Sequence, residues 1–243
     1  VPEAPAGSVW ATAQTNNYEA AGLAAEKMFE VIKDRIEKST VAKPVTIVVM
    51  NQDASGESLL SRGKGFRDRM VQLIAEKSSL SRDDIAVIGN TAYIAADSPT
   101  KGRRVFIEMI VPASAAMTDA TNSAQAVLNK VTSHSVLGIF CSNEATIKGL
   151  LAATNDGATL KSNAALRDVV VVGFDAGEAQ KNAVRKQYML GAITQDPYMI
   201  GYRAVELAYK AYKGEKVADI DTGAKFWDHA NMDDADIKGL LYD

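Results

Sequence analysis

Four polar side chains stand out because each follows an apolar run of the sequence and because their chemistry is complementary. They are Arg62, Asn143, Asp175 and Gln195. An arginine offers a planar fork of donors, a carboxylate accepts hydrogen bonds, and an amide does both. A polyhydroxylated ligand needs this mixture, because every sugar hydroxyl is itself a donor and an acceptor. Since hydrogen bonds to charged groups contribute about 1.5 to 3 kcal/mol each, Arg62 and Asp175 are predicted to dominate the site.

The same residues also have a purely structural interpretation. Asn and Asp are common helix N-caps, so Asn143 and Asp175 would then cap the helices that follow them. Arg62 would be a charge on the exposed face of a helix. Each residue by itself is compatible with both interpretations. Four such residues after four apolar runs favour the binding interpretation.

No other group of residues in the sequence is arranged for catalysis or metal binding. The two histidines, His134 and His229, are not placed beside a nucleophile. Residues 56–65 cannot be aligned with the Gly-x-x-x-x-Gly-Lys-Ser/Thr order of a phosphate-binding loop. The single Cys141 lies inside an apolar run and is predicted to be a buried bystander. The sequence therefore predicts no enzyme, no metal site and no cofactor.

The composition indicates a folded chain that does not favour nucleic acid. The 243 residues are 47% apolar and 23% charged, which is enough to build one large domain or two small ones. There are 27 Lys plus Arg residues against 30 Asp plus Glu residues, a formal charge of -3. A surface without excess positive charge does not attract phosphate backbones, so no nucleic-acid partner is expected. No apolar stretch reaches the roughly 18 residues that a membrane-spanning helix requires.

The elements that must position the four side chains alternate between strand and helix. Short, continuously apolar runs predict strands that are buried on both faces of a parallel sheet. These runs are Val45–Met50, Ile85–Gly89, Leu137–Cys141, Val169–Phe174 and Leu190–Thr194. Between them, apolar residues recur at spacings of three and four, as in helices. The sequence predicts an α/β fold with a doubly wound, mostly parallel sheet and helices on both faces. In such a sheet, ligands bind beyond the carboxyl ends of the strands.

Two segments depart from this alternation. Between Gly89 and Met117, two β-rich stretches flank a cluster of turn-forming residues, and this pattern predicts an inserted β-hairpin. The second departure is the helix predicted for residues 197–213, which carries two apolar stripes and is closed by Gly214. A helix with so wide an apolar arc is expected to be buried against another structure.

Several motifs resemble those of one protein family. They are the stretch from Thr15 to Glu26, then Arg62-Gly63-Lys64-Gly65-Phe66, Ser142-Asn143-Glu144-Ala145, Val172-Gly173-Phe174-Asp175-Ala176 and Ile193-Thr194-Gln195. In order and spacing the sequence resembles the type I periplasmic sugar-binding proteins almost end to end. It is similar above all to the glucose/galactose and ribose receptors of ABC importers. Residues 231–242 resemble the usual C-terminus of these receptors.

This resemblance implies a function and a set of partners. It implies the solute-binding component of an ABC sugar importer, which holds a monosaccharide non-covalently between two lobes and meets a membrane permease. Glucose or galactose is the first expectation. A periplasmic or membrane-tethered extracytoplasmic location follows, with a lipoprotein as one form. The family's sugar-gripping residues fall here on Arg62, Asn143, Asp175 and Gln195.

One position departs from the family pattern. The family is expected to have an aromatic residue that stacks on the sugar ring just before an acidic residue, where this sequence has Thr118 before Asp119. Trp227 is a candidate substitute from another part of the chain. A tryptophan beside Phe226, however, more often belongs to a hydrophobic core, because large aromatic side chains mostly serve packing.

The resemblance also divides the chain into segments. It implies a lead-in and crossing strand in residues 1–15, a sugar-binding lobe in residues 16–195, a helix in residues 196–218 that packs on a first lobe, and a returning strand and tail in residues 219–243. The first lobe is expected on another chain, as a lost segment or in a rearranged order. One lobe alone supplies about half of the polar contacts, so the predicted affinity is millimolar, about -4 kcal/mol.

Two other functions are compatible with this fold. A ligand-sensing transcription regulator of the LacI type has a similar effector core, and a basic helix-turn-helix segment, absent from these residues, would distinguish it. A sugar-sensing signalling module would use the helix at residues 197–213 as its partner surface. Both are alternatives to the transport function.

Overall fold

The strands form a seven-stranded sheet and a separate two-stranded pair. The computed structural model describes residue 5, residues 7–94 and residues 99–242. The strands are β1 (Ala13–Gln14), β2 (Val45–Met50), β3 (Ile85–Gly89), β4 (Val105–Ile110), β5 (Val136–Cys141), β6 (Val170–Phe174), β7 (Gly191–Gln195), β8 (Ile220–Asp221) and β9 (Ala224–Asp228). The order across the large sheet is β3-β4-β2-β5-β6-β7-β9, and β1 pairs with β8.

Helices connect these strands. They are α1 (Asn17–Glu37), α2 (Glu57–Lys77), α3 (Met117–Asn129), α4 (Glu144–Ala152), α5 (Thr159–Ser162), α6 (Glu178–Arg185), α7 (Pro197–Tyr212) and α8 (Ala235–Lys238), with one 3-10 turn at Arg82–Asp84. In the large sheet, β9 runs antiparallel to β7 and the other pairings are parallel. The predicted α/β fold with a mostly parallel sheet is confirmed.

Helices cover both faces of the sheet, and this explains why β2 is apolar at every position except Thr46. Successive side chains of a strand point to opposite faces. Ile47 and Val49 accordingly pack in the hydrophobic cluster that contains α1 and α2. Val48 and Met50 pack in the second cluster, on the face of α3 and α4. A strand buried on both faces needs an apolar residue at nearly every position, and this requirement made β2 recognisable in the sequence.

The predicted β-hairpin between Gly89 and Met117 is wrong. The run Val105–Ile110 forms β4, which lies between β3 and β2 and runs parallel to both. Tyr93 and Ile94, from the other predicted arm, lie in a turn and a bend, while residues 95–98 lie outside the described residues. Residues 90–104 are long enough for the crossover that parallel neighbours require. The β-rich composition of Val105–Ile110 identified a strand but did not determine its partner.

Four of the parallel strands bring the predicted site residues to one edge of the sheet. β2, β5, β6 and β7 are consecutive neighbours, and each pairs in parallel with the next. Their carboxyl ends therefore lie side by side. The segments that leave these ends contain Asn143 and Asp175, and Gln195 is the last residue of β7.

The helix α7 is mostly exposed in this chain. The Asp196 side chain caps its N-terminus by accepting a hydrogen bond from the Met199 backbone N–H at 2.8 Å. Leu207 is its one buried residue among those described. Its exposed large side chains are Tyr198, Tyr202, Val205, Tyr209 and Tyr212. The wide apolar arc is thus present, and its burial on a first lobe stays a prediction. No helix in the described ranges is long and apolar enough to cross a membrane.

Candidate functional site

Arg62 is buried beneath the carboxyl edge of the sheet, so its interpretation as an exposed helix charge is wrong. Although it belongs to α2, it is only 6% exposed. Its Nε donates a hydrogen bond to Oδ1 of Asn17 at 2.8 Å, and its Nη1 donates to the backbone carbonyl of Ser142 at 3.0 Å. The guanidinium carbon lies 3.7 Å from the centre of the Phe174 ring. These contacts hold the guanidinium in one orientation.

The charge of Arg62 is balanced by Asp175. The Arg62 Nη1 atom lies 3.7 Å from Oδ2 of Asp175. Burial lowers the pKa of Arg62, and the Asp175 carboxylate opposes this change. An arginine side chain stays charged in proteins, so the buried cation needs its anionic neighbour.

Asp175 does not cap the helix that follows it. The N-cap of α6 is Gly177, whereas the Asp175 carboxylate accepts hydrogen bonds from Gln195 Nε2 at 2.9 Å and from the Glu144 backbone N–H at 3.2 Å. The second contact places the negative charge at the N-terminus of α4, where a helix dipole stabilises it. Asp175 itself has a φ of 75°, a left-handed conformation that aspartate adopts more readily than most residues.

Asn143 caps the helix that follows it and also has a partner across the carboxyl edge. Its Oδ1 accepts a hydrogen bond from the Thr146 backbone N–H at 3.1 Å, which caps α4. Its Nδ2 donates to Oε1 of Gln52 at 2.5 Å. The cap therefore fixes the amide with its donor group directed across the carboxyl edge, toward the segment that follows β2.

The structure brings the four predicted residues together. Arg62, Asp175 and Gln195 form one chain of contacts, and Asn143 directly precedes Glu144, whose backbone N–H binds Asp175. The Asp175 side chain is 14% exposed. The arrangement can present a fixed cation, a carboxylate and two amides to a small polar molecule. It contains no nucleophile paired with a general base.

Three contributors to this site were not predicted from the sequence. Asn17 holds Arg62, and it is available because its neighbour Asn16 is the N-cap of α1. Gln52 pairs with Asn143 and could have been found, since it comes two residues after β2. Tyr242 lies near Asp175, and burial together with that negative charge raises the pKa of Tyr242 to about 12. No sequence pattern connected this tail residue to the site.

The aromatic residues clarify the question of ring stacking. Trp227 is fully buried in the core, and its Nε1 donates to the backbone carbonyl of Asp175 at 3.3 Å. The core interpretation of Trp227 is therefore confirmed, because its ring is closed off from the protein surface. Thr118 is exposed in the first turn of α3. Cys141 is buried, and burial raises the pKa of its thiol, as predicted for a bystander.

Two of the cavities among the described residues lie in different parts of the molecule. One, of about 650 Å³, is lined by Asn17 together with Ser58, Ser61 and Asp221, and it adjoins the partner of Arg62. The other, of about 610 Å³, lies at the opposite edge of the sheet near Arg35 and His229. Within the described residues, no three metal-ligating side chains are grouped together.

Comparison with known proteins defines the class. Residues 2–216 match the family model described as a periplasmic binding protein domain. The chain therefore belongs to this family, the type I periplasmic sugar-binding proteins. The ribose import binding protein of Salmonella typhimurium strain LT2 is 35% identical over 100 residues, which cover 41% of this chain and 31% of that protein. The ribose import binding protein of Escherichia coli K12 is 34% identical over 100 residues, which also cover 41% of this chain and 31% of that protein.

Solved structures share the fold over nearly the whole chain. A structure from Brachyspira murdochii, described as an ABC transporter and LacI family transcriptional regulator, has a TM-score of 0.81 and 35% identity, covering 100% of this chain and 70% of that one. A solute-binding protein from Agrobacterium vitis, solved with D-fucose, has a TM-score of 0.68 and 23% identity, covering 96% of this chain and 65% of that one. In the matches to the curated ribose import proteins, the aligned region spans about a third of their length.

Proposed function

We propose that this chain is the sugar-binding lobe of an ABC importer's solute-binding protein and that it binds a monosaccharide without chemical change. Membership of the periplasmic binding protein family supports the class. The observation that carries the proposal is the buried Arg62 guanidinium, linked through Asp175 to Gln195 at the carboxyl edge of a parallel sheet. Ligands of open α/β sheets bind at this edge.

The contacts within the site suit hydroxyl groups. Asn17, Ser142 and Phe174 hold the Arg62 side chain, so little conformational entropy is lost when a ligand binds. The 3.7 Å between Arg62 and Asp175 is longer than a hydrogen bond. Both charged groups therefore keep hydrogen-bonding capacity for a ligand. A hydroxyl can accept from the cation and donate to the carboxylate.

Glucose or galactose is the first proposed ligand, because the motifs around Arg62, Asn143, Asp175 and Gln195 resemble those of glucose/galactose receptors. Ribose is the necessary comparison. The curated relatives at 34 to 35% identity are named ribose import binding proteins. The pentose and the hexoses differ in size, so one binding series separates them.

The proposed partners follow from the same function. A first lobe would close over the sugar, and the exposed face of α7 would pack against it. The closed protein would meet a membrane permease in a periplasmic or membrane-tethered extracytoplasmic location. The 86% exposure of Tyr212 and the 74% exposure of Tyr198 mark the two ends of the α7 face that such a lobe would cover.

The test is a titration of this chain with glucose, galactose and ribose, followed by NMR chemical shifts. A millimolar dissociation constant is expected, because one lobe provides about half of the contacts. Asp175→Asn should weaken binding about tenfold to a hundredfold, since it removes charged hydrogen bonds. Asp228→Asn is the matched control, because that carboxylate ends β9 and binds the backbone of Ala230 and Asn231. The absence of saturable binding by all three sugars would refute the proposal.

A LacI-type regulator is the second candidate, because the Brachyspira murdochii structure with 35% identity carries that description. Sugar binding is common to both functions, so the distinction lies in the partner. With its charge of -3, this chain is not expected to retain a DNA duplex at low salt. Salt-dependent DNA binding by this chain would favour the regulator. A stable dimer in light scattering would instead favour a signalling module that uses α7.

A further inference from the structure

We propose that Tyr242, in the C-terminal tail, is a further ligand-contacting residue whose ring covers the apolar face of the bound sugar. This inference rests on the proposed function, because it places Tyr242 in the same site as Arg62 and Asp175. It assigns a role to a segment that follows the last helix and contributes no strand to the sheet.

The tail is anchored at two points that flank the site. The Thr194 hydroxyl donates a hydrogen bond to the backbone carbonyl of Leu240 at 3.1 Å. Thr194 immediately precedes Gln195. Leu241 packs against the hydrophobic cluster that contains Ala176, the residue after Asp175. Tyr242 is the next residue in the chain, so these two contacts hold the tail segment that carries it beside the site.

The surroundings of Tyr242 are those of a site residue. The pKa of its hydroxyl is influenced by the charges of Asp175, Glu144 and Arg62 and by a hydrogen bond from the backbone N–H of Ala176. Burial is the largest influence, and with Asp175 it raises the pKa of Tyr242 to about 12. The residue is nevertheless 38% exposed. A neutral ring that is partly buried beside the charged pair is suited to contact a ligand there.

A sugar has an apolar face of C–H groups as well as hydroxyls, and a polar site alone leaves that face unpaired. Thr118 provides no ring, and Trp227 is fully buried. The Phe174 ring is already covered by the Arg62 guanidinium. Of these residues and Tyr242, only Tyr242 combines an aromatic ring, partial exposure and proximity to Asp175.

The experiment compares Tyr242→Leu and Tyr242→Phe with the unchanged chain in the same NMR titrations with glucose, galactose and ribose. Leucine keeps an apolar side chain against the core but removes the flat ring. Tyr242→Leu should weaken binding about fivefold to tenfold, the range of a favourable aromatic contact. Tyr242→Phe should stay within about twofold, since it retains the ring. Tyr212→Leu is the control, because Tyr212 ends α7 and is 86% exposed.

The outcomes separate this inference from the proposed function. If the unchanged chain binds sugar and Tyr242→Leu binds equally well, the role of Tyr242 is refuted and the proposed function stands. If Tyr242→Phe loses as much affinity as Tyr242→Leu, ring stacking is refuted. If no sugar binds the unchanged chain, both proposals fail. Thermal unfolding of each variant shows whether it is folded. If leucine perturbs the tail, the ring resonances of Tyr242 in the unchanged chain provide the test, because stacking on a sugar shifts them and the absence of a shift refutes the contact.

Discussion

The carboxyl edge of the sheet and the outer face of α7 are opposite in character. At the edge, a charged residue, Arg62, is 6% exposed and is held by partners from three other segments. On α7, apolar and aromatic side chains such as Val205 and Tyr209 are 71% and 60% exposed. The comparison shows that the edge is assembled from contacts within this chain, whereas the outer face of α7 leaves apolar and aromatic side chains exposed.

The two regions should therefore respond differently to substitution. A buried ion pair is costly to break, because the remaining charge has no compensation. Exposed side chains usually change stability by less than about 0.5 kcal/mol when they are replaced. The free energy of unfolding is thus the quantity that tests the comparison directly.

The largest effect is expected for Asp175→Asn, which should lower the free energy of unfolding by about 3 kcal/mol. Asparagine keeps the shape and tolerates the left-handed φ of 75°, so the change isolates the loss of charge beside Arg62. Urea denaturation at pH 7 measures it. In the double variant with Arg62→Met, the two changes should cost less than their sum, because no buried cation is left unpaired. Strict additivity would show that the 3.7 Å contact contributes no coupling.

An intermediate effect is expected inside α7 itself. Leu207→Ala should cost about 2 kcal/mol, because Leu207 is only 7% exposed and its removal leaves a cavity. Val205→Ala should change the free energy of unfolding by less than about 0.5 kcal/mol, since Val205 is exposed. The two variants share one helix and one measurement, thermal or urea unfolding. Equal losses would mean that the outer face of α7 is covered in solution.

A smaller effect than that of Leu207→Ala is expected at Asp53, on the loop that precedes α2. Its Oδ1 accepts hydrogen bonds from the backbone N–H groups of Gly56 at 2.7 Å and Ser55 at 2.9 Å. The Gly56 contact is the main reason that the pKa of Asp53 is lowered, with Ser55 contributing less. Asp53→Ala should cost about 1 kcal/mol at pH 7. Asp53→Asn keeps the acceptor and should retain most of that stability.

The pH dependence of this difference has a defined sign. Because the folded-state pKa of Asp53 is lowered, its contribution is fully present above the ordinary aspartate pKa of about 3.9 and is lost as pH falls through the folded value. Urea titrations of the unchanged chain and of Asp53→Ala should therefore differ by a constant amount down to about pH 4.5 and converge below it. A difference that grew in acid would contradict this assignment.

The sequence predicted the bounds of individual strands better than it predicted which strands pair. The bounds of β2 and β3 were predicted from their continuous apolar runs, since a strand covered on both faces has few polar positions. The hairpin failed because the pairing of Val105–Ile110 depends on distant strands. A run rich in β-forming residues indicates a strand and says nothing of its neighbours in the sheet.

The candidate site likewise combines residues that local sequence predicted with residues that only distant contacts bring together. Asn143, Asp175 and Gln195 were predicted because each lies at or just after the end of a strand, and parallel strands bring such positions together. Arg62 was found, but its burial was not foreseeable, since α2 could have presented it to solvent. Asn17 and Tyr242 come from opposite ends of the chain, and only packing brings them to the pair.

The sequence by itself determined the periodicities and therefore the helices, the strands, the α/β class and the edge at which polar residues gather, because these features depend on local spacing. The tertiary structure decided what spacing cannot encode: the parallel insertion of β4, the burial of Arg62 against Asp175, the core position of Trp227 and the exposure of α7. Each of these is set by contacts between segments far apart in the chain, whose free energies exist only once the fold has formed.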